Sequence, residues 1–404
     1  MFNFRRLPGI LYHRRYTTLS SILLTVTILY YLLHWGIMCT NFETWQHIKR
    51  LCHLHQKGEA VGNLCQPLCI DKKIHSFTCH AFHAGKEAVF SANWEGTHLV
   101  FKASRRVWAN NLDTVYWVDK EGRQHFPSEA DFNNMIRDIV SSKLNYSISN
   151  DQLKRLSRLG FSKAKEGSPQ RQVEMQNLWV LLQDNEYLCS LLYSDIDVFP
   201  QLLGTCGGFF AVEYLEPVHG GSNILSISDG NEEWPSRVKL AMLMMELLSE
   251  LETNLPEPFH LCDIKMSHFG LVKGTQRLKF LDLDSAVPRT VASKATADGR
   301  HCTKHEECDF FDCRSLCNDK TKKCDLPVTN DNYQVVCEKI FLGWTLSGTV
   351  IIPGLLISPH TPSSLASLLR HCAHPNNSPR QFVPDDLKVK LYTKLTELDE
   401  ILHF

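Results

Sequence analysis

The chain has 404 residues, of which 43% are hydrophobic, and its formal net charge is −1. A chain of this length buries one large hydrophobic core or two smaller ones. The balanced charge gives no reason to expect a nucleic acid as a partner. The composition therefore indicates a globular protein that binds no nucleic acid.

The N-terminal segment differs from the rest of the chain. Residues 17–38 contain no Asp, Glu, Lys or Arg, and two arginine pairs precede them. A helix of this length spans about 30 Å, the thickness of a bilayer's hydrocarbon core. We predict a cytosolic tail over 1–16 and an uncleaved membrane-spanning signal anchor over 17–38, with the remaining chain in a lumen. A cleaved signal peptide is the alternative, but its apolar region spans only about 7–15 residues.

Disulfide bonds are expected beyond this anchor, because a secretory lumen is oxidising. The chain contains 15 cysteines, and we predict a cysteine-containing lumenal segment over 39–80, stapled by disulfides. Two sequons, at Asn145 and Asn376, would lie on the same side of the membrane and predict a glycoprotein. Cys262 is interpreted as a small buried apolar side chain.

A cysteine-rich insert over 301–324 allows two interpretations. Disulfides fit a lumenal compartment, whereas zinc would use cysteines together with the nearby His301 and His305. The two closely spaced cysteine pairs share Cys313, so they cannot form two independent zinc-binding pairs, and disulfides are favoured. Five cysteines make up the insert, namely Cys302, Cys308, Cys313, Cys317 and Cys324.

The elements predicted after residue 80 alternate between strands and helices. Two β-rich runs around Glu95-Gly96 predict a hairpin. Apolar residues at helical spacing predict helices both before and after the strands of 199–216. The order indicates an α+β fold, with a small β-rich lobe followed by a mainly helical lobe. The predicted strands are 86–94, 97–104, 199–216, 269–272 and 278–281, and the predicted helices are 128–144, 150–161, 174–194 and 234–256.

Several residues occur in the order that phosphoryl transfer requires. Lys102 ends an apolar strand, as the phosphate-binding lysine of a kinase does. Asp263, with Lys265 two residues later, fits a loop whose carboxylate accepts the proton of the attacking hydroxyl. Asp282 and Asp284 follow a short hairpin and offer hard oxygen ligands for Mg²⁺ or Mn²⁺.

The remaining parts of a nucleotide site are specified less clearly. Glu186 is the favoured helical glutamate to pair with Lys102, and Glu174 is the alternative. Gly85 is the glycine available to cover the phosphates, because no G-x-G-x-x-G precedes the lysine. Glu213 begins the predicted hinge between the lobes.

The chain resembles the divergent protein kinase domain 1 family, cysteine-rich type II membrane proteins of the endoplasmic reticulum. The resemblance implies a two-lobe protein-kinase-like fold, with an N-lobe over 81–215 that carries a helical insert and a C-lobe over 216–404. It also implies residence in the endoplasmic reticulum membrane with a lumenal C-terminal domain, and ATP with Mg²⁺ or Mn²⁺ as cofactors if the protein is active. The segments that carry it are LWVLLQDNEYL, LCDIK, FLDLDSA and EECDFFDC, followed by QVVCEKIF.

Departures from the kinase pattern leave two functions open. His268 stands where a kinase has its metal-binding Asn, and imidazole is a poor ligand for Mg²⁺. The family resemblance suggests a calcium-binding loop over 162–173, but this chain has Val173 where a bidentate Glu belongs, so calcium binding is not expected. The protein is interpreted either as a phosphotransferase acting on secretory-pathway proteins or glycans, or as an inactive pseudokinase that scaffolds a partner at the membrane. The cysteine-rich insert occupies the place of an activation segment, and we expect its disulfides to prevent switching by phosphorylation.

Overall fold

The computed structural model describes residues 7–34, 41–80, 86–104, 114–160, 162–218, 233–346 and 349–402. The chain divides into two compact units. The first unit comprises residues 1–113 and 204–211, and the second comprises residues 114–203 and 212–404.

The described residues form helices and strands throughout both units. The helices are α1 (Leu7–His34), α2 (Asn41–Gln56), α3 (Glu129–Leu144), α4 (Asn150–Leu156), α5 (Pro169–Leu182), α6 (Asn185–Leu192), α7 (Glu233–Thr253), α8 (Arg289–Thr296), α9 (Asn332–Val335), α10 (Ser363–Ala373) and α11 (Asp385–Leu402). The strands are β1 (Ile74–Cys79), β2 (Lys86–Trp94), β3 (Thr97–Ser104), β4 (Trp117–Val118), β5 (Gln124–His125), β6 (Leu202–Cys206), β7 (Phe209–Glu213), β8 (Leu215–Pro217), β9 (Phe259–Leu261), β10 (Phe269–Val272), β11 (Leu278–Phe280), β12 (Ala286–Pro288), β13 (Gly343–Leu346) and β14 (Thr349–Pro353).

The first unit is built on a sheet with strand order β1-β2-β3-β7-β6. Strands β2 and β3 pair antiparallel, which confirms the predicted hairpin. Glu95 and Gly96 at its turn both have positive φ, 51° and 85°, the backbone of a type I′ turn. Inside the sheet, the rings of Phe90 and Phe101 stack with centroids 5.1 Å apart. This stack is buried, so it anchors the hairpin in the core of the unit.

Two disulfides staple the segment after α2, as predicted. Cys52 bonds to Cys69, and Cys65 bonds to Cys206 on β6. The second bond joins residues 141 positions apart. A cross-link of this kind ties the cysteine segment to the sheet and cannot be deduced from the spacing of the cysteines.

Helix α1 covers most of the predicted signal anchor. The apolar side chains between residues 17 and 30 are exposed, including Leu19, Leu23 and Tyr30. Among the described residues, no helix has the combination of length and apolar character that crossing a membrane requires. The membrane-spanning prediction for 17–38 is therefore not confirmed, and residues 35–38 lie outside the described residues.

The helices of the second unit agree with the predictions except that α4 ends at Leu156 instead of at residue 161 and that one predicted helix is broken. The predicted single helix over 174–194 is wrong, because α5 ends at Leu182 and α6 begins at Asn185. The carboxylate of Asp184 accepts hydrogen bonds from the backbone N–H groups of Glu186 (2.9 Å) and Tyr187 (3.4 Å). An Asp in this position caps a new helix, which explains why the apolar spacing continues while the helix does not.

Three short strands form the second sheet, in the order β11-β10-β8. The hairpin of β10 and β11 is confirmed, with Phe269 opposite Phe280. Strand β9 pairs with β12, so Leu261 lies opposite Ala286. The hairpin of β13 and β14 was not predicted, because the C-terminal region was interpreted as mostly helical.

Disulfides also dominate the cysteine-rich insert, which favours that interpretation over zinc. The sulfur atoms of Cys302, Cys308 and Cys317 lie within 4.8 Å of one another, as in a metal site. All three are in disulfide bonds, and a disulfide sulfur is not a thiolate that can bind zinc. Cys262 is buried, as predicted, but it forms a disulfide with Cys313 of the insert, which was not predicted. The four disulfides of this unit are Cys262–Cys313, Cys302–Cys317, Cys308–Cys324 and Cys337–Cys372.

Candidate active site

The hairpin of β10 and β11 brings its two acidic flanks together. Phe269 and Phe280 are buried and meet edge to face, with centroids 5.3 Å apart. The N–H of Leu281 donates to the carbonyl of His268 at 2.8 Å, which closes the open end of the hairpin. The residues before β10 and after β11 therefore lie side by side.

Asp263, His268 and Asp282 converge at this closed end. The Lys265 ammonium lies 2.8 Å from the carboxylate of Asp263. The His268 ring spans the gap, with Nδ1 2.9 Å from the Asp263 carbonyl and Nε2 3.2 Å from a carboxylate oxygen of Asp282. The ligand atoms of Asp263, His268 and Asp282 lie within 4.8 Å of one another. This arrangement joins the predicted base to a predicted metal ligand.

A second group of carboxylates shares Asp282. The ligand oxygens of Glu186, Asp282 and Asp284 also lie within 4.8 Å of one another. Asn185, at the start of α6, donates to the carbonyl of Asp284 at 3.5 Å. Glu186 is 6% exposed, so the cap at Asp184 places a nearly buried carboxylate beside both predicted metal ligands.

Glu174, the alternative helical glutamate, is held elsewhere in the unit. It is 1% exposed. Its carboxylate accepts the N–H of Leu159 at 2.8 Å and lies 2.9 Å from the guanidinium of Arg171. Arg171 in turn makes a bidentate pair with Glu129, with both contacts at 2.7 Å. These contacts give Glu174 a structural role, and the structure groups Glu186 with the acids instead.

The other predicted nucleotide-binding residues are distributed over both units. Lys102 lies on β3 of the first unit, opposite Val89, and its pairing with Glu186 stays a prediction. Gly85 lies outside the described residues. Glu213 accepts from the buried Lys279 ammonium at 2.6 Å, an ion pair that the sequence did not predict.

The loop that carries Asp263 is fixed by the cysteine-rich insert. Besides the bond between Cys262 and Cys313, the N–H of Asp312 donates to the carbonyl of Cys262 at 2.8 Å. The Asp312 carboxylate accepts from the N–H of Ile264 and from the Lys339 ammonium, both at 2.7 Å. The residues on both sides of Asp263 are therefore held by neighbours in the insert. The only sequence signal for this contact was the place of the insert after the second acidic cluster.

A buried amide fixes the strand that precedes this loop. Asn332 at the start of α9 accepts from the N–H of Leu261 at 2.8 Å and donates to the carbonyl of Phe259 at 2.7 Å. Both contacts go to the backbone of β9. Asn332 was not predicted, because nothing in the sequence distinguishes it from other helix-starting residues.

Two buried ionisable groups near β9 have shifted pKa values: His260 on β9 itself, and Asp331 directly before α9. Burial, with a smaller effect of the Arg289 charge, lowers the pKa of His260 to about 3. Burial raises the pKa of Asp331 to about 6, although the N–H groups that it accepts and the Lys388 charge act against this shift. The region beneath β9 thus favours a neutral imidazole and resists ionisation of the carboxyl group.

The third position of the predicted calcium-loop relic, Ala164, is contacted by an arginine from outside the loop. The guanidinium of Arg158 donates to the carbonyl of Ala164 at 2.7 Å. Gly167 has φ +71°, and Ser168 caps α5 directly after it. A cation is thus already bound to one of the loop carbonyls, which supports the expectation that calcium is not a ligand, and this expectation stays a prediction.

Comparison with known proteins identifies the class. A model described as the protein-kinase domain of FAM69 matches residues 178–375, and a model described as the N-terminal cysteine-rich ER region of FAM69 matches residues 6–158. The second unit therefore carries a divergent protein-kinase-like domain, in a chain of mixed helix and sheet. The chain belongs to the FAM69 family, which confirms the resemblance drawn from its motifs.

Two individual proteins show how far the similarity extends. Human divergent protein kinase domain 2A is 28% identical over 193 residues, which cover 44% of this chain and 41% of that protein. The aligned part thus spans less than half the length of this relative. A solved complex of Rv3197 with erythromycin from Mycobacterium tuberculosis matches with a TM-score of 0.27 and 12% identity, over 73% of this chain and 72% of that one. Similarity at that level supports no conclusion about function.

Proposed function

We propose that the protein is a metal-dependent phosphotransferase that transfers the γ-phosphoryl group of ATP to a hydroxyl group of a secretory-pathway protein or glycan. The observation that carries this proposal is the convergence of Asp263, His268 and Asp282 at the closed end of the hairpin, with their ligand atoms within 4.8 Å. A base and a metal ligand at such short range are what phosphoryl transfer requires.

The residues of the site divide between the acceptor and the metal ion. Asp263 accepts the proton of the acceptor hydroxyl, and Lys265 at 2.8 Å compensates the negative charge beside it. Asp282 and Asp284 supply hard oxygen ligands, the donor type that Mg²⁺ and Mn²⁺ prefer, and Glu186 keeps its predicted role as the partner of Lys102. When bound, the ion neutralises charge on the phosphates. The role predicted for Lys102 rests on the sequence.

The fixed backbone around Asp263 also supports an enzyme. Asp312 and Cys313 hold the loop from the insert, and Asn332 holds β9 from α9. Preorganised positions of this kind lower the cost of aligning the reacting groups. A loop that needs no phosphorylation to become ordered fits a constitutive phosphotransferase.

The test uses the full chain with its disulfides intact. Purified protein is incubated with radiolabelled ATP, Mg²⁺ or Mn²⁺, and an extract of secretory proteins. Asp282→Ala should abolish labelling, whereas Asp319→Ala, which changes an exposed carboxylate in the insert, should not. Equal labelling by wild type and Asp282→Ala would contradict the proposal.

Nucleotide binding is measured separately by thermal unfolding. ATP at 100 times its Kd should stabilise the protein by about 2.7 kcal/mol. Stabilisation without labelling would indicate a missing acceptor substrate. Neither stabilisation nor labelling would favour the second candidate, a pseudokinase scaffold at the membrane. The contact between His268 and Asp282 favours that candidate, since it engages a carboxylate that a kinase keeps for its metal ion.

We also propose that the catalytic unit lies in the lumen of the endoplasmic reticulum, anchored by the N-terminal helix. The disulfides of both units and the exposed apolar side chains of α1 support this location. The sequon residues Asn145 and Asn376 are both exposed. Treatment of the cellular protein with a glycosidase should shift its mass, and Asn145→Gln with Asn376→Gln should remove the shift. An unshifted wild-type protein would contradict a lumenal location.

A further inference from the structure

The orientation of the His268 ring fixes which nitrogen carries a proton. Nδ1 lies 2.9 Å from the carbonyl oxygen of Asp263. A carbonyl oxygen only accepts hydrogen bonds, so Nδ1 must be the protonated nitrogen. In the neutral imidazole, Nε2 then presents a lone pair. Histidines that ligate metals are oriented in this way, with the other ring nitrogen donating to a carbonyl or carboxylate.

The lone pair of Nε2 points at a carboxylate oxygen. Nε2 lies 3.2 Å from Oδ2 of Asp282, and the His268 side chain is 13% exposed. Two lone pairs at this distance repel each other unless a cation lies between them. The cation is either a proton on Nε2 or a metal ion bound by both atoms.

The distance between the two atoms suits a metal ion. Bonds from a metal ion to such atoms are usually about 2.1 Å long. With two bonds of this length, a separation of 3.2 Å between Nε2 and Oδ2 corresponds to an N–metal–O angle of about 100°. This is close to the octahedral value. The Asp263 carboxylate also has a ligand atom within 4.8 Å of both.

We propose that His268 is a nitrogen ligand of the divalent ion and that the site therefore selects Mn²⁺ over Mg²⁺. The inference deepens the proposed function, because it concerns the ion at the same site. Mg²⁺ takes oxygen ligands almost entirely, whereas first-row transition ions accept imidazole nitrogen as well. An amide oxygen at position 268 would remove this preference.

The test measures metal binding without nucleotide or acceptor. Mn²⁺ is titrated into the full chain and followed by electron paramagnetic resonance, with Mg²⁺ as competitor. Bound Mn²⁺ should show coupling to a ¹⁴N nucleus and should resist displacement by Mg²⁺. His268→Asn should abolish the nitrogen coupling and weaken Mn²⁺ binding by about tenfold or more, since loss of even an indirect metal partner has an effect of that size. His371→Asn, which changes an exposed histidine on α10, should alter neither.

Several outcomes would overturn the inference in distinct ways. Bound Mn²⁺ without nitrogen coupling would mean that His268 is not a ligand. If phosphotransfer with Mg²⁺ were observed in that case, the proposed function would still hold. Absence of any bound Mn²⁺ would mean that a proton joins His268 to Asp282. Nitrogen coupling without phosphotransfer in any extract would support the ligand and contradict the enzyme.

Discussion

Removal of the disulfide between Cys262 and Cys313 tests how the loop of Asp263 is held. The double substitution Cys262→Ala and Cys313→Ala avoids burying new hydroxyl groups at two buried positions. The two cysteines are 51 residues apart. Restricting an unfolded loop of this length is worth about 4 kcal/mol. Folded domains are commonly stable by about 5–15 kcal/mol, so the variant should fold with a reduced margin.

The assay combines urea unfolding with amide hydrogen exchange. A matched control is the double substitution Cys337→Ala and Cys372→Ala, which opens a loop of 35 residues and should also cost about 4 kcal/mol. Only the first variant should accelerate exchange at the N–H of Ile264, because only it releases that loop. A loss below about 1 kcal/mol, or unchanged exchange at Ile264, would refute the reasoning and leave the hydrogen bonds of Asp312 as a sufficient restraint.

Four further substitutions test the buried charges. Because the pKa of His260 is lowered to about 3, this histidine reduces stability as pH falls from 6.5 towards 3, by about 1.4 kcal/mol per pH unit. In His260→Gln this contribution should be absent from the pH dependence of the urea midpoint. The raised pKa of Asp331, about 6, stabilises the fold below pH 3.8, and this stabilisation is lost as pH rises through 6. In wild type the pH dependences of His260 and Asp331 therefore offset each other, and Asp331→Asn should show a steeper loss of stability in acid. Parallel pH profiles for wild type and both variants would contradict the assignments. Arg171→Met leaves the buried Glu174 without its 2.9 Å partner and should cost about 3 kcal/mol or more in urea unfolding; a smaller loss would mean that Arg158 replaces it. Asp312→Ala should accelerate hydrogen exchange at the backbone N–H of Ile264, which donates to the Asp312 carboxylate. Asp319→Ala, at an exposed position of the insert, should leave this exchange unchanged.

The sequence predicted the local parts of the site because they depend on short-range patterns. The two β-rich runs on either side of Glu95-Gly96 predict the bounds of β2 and β3 correctly, and the turn between β10 and β11 follows from its glycine and polar neighbours. The break between α5 and α6 was missed because Asp184 suits a helix surface as well as a cap. Its effect depends on which backbone N–H groups need an acceptor.

The long-range restraints on Asp263 could not be predicted from the same patterns. Cys313, Asp312 and Asn332 contact this part of the chain across sequence separations of up to about 70 residues, and contacts of that range depend on the completed fold. Cys262 was interpreted as apolar because a buried cysteine and a half-cystine have similar neighbours in sequence. The number of cysteines indicated disulfides but not their pairing.

These restraints suggest why the site departs from the kinase pattern. In kinases the catalytic loop and activation segment are ordered together by phosphorylation, which supplies charge for new ion pairs. Here Asp312 already supplies a fixed carboxylate, paired with Lys339 at 2.7 Å, and Cys313 supplies a covalent link to the residue before Asp263. A loop held by such contacts has little to gain from an added phosphate. If the protein is a phosphotransferase, as proposed, its activity is therefore expected not to require phosphorylation of the insert, and residue 268 is the position on which the proposed choice of metal ion depends.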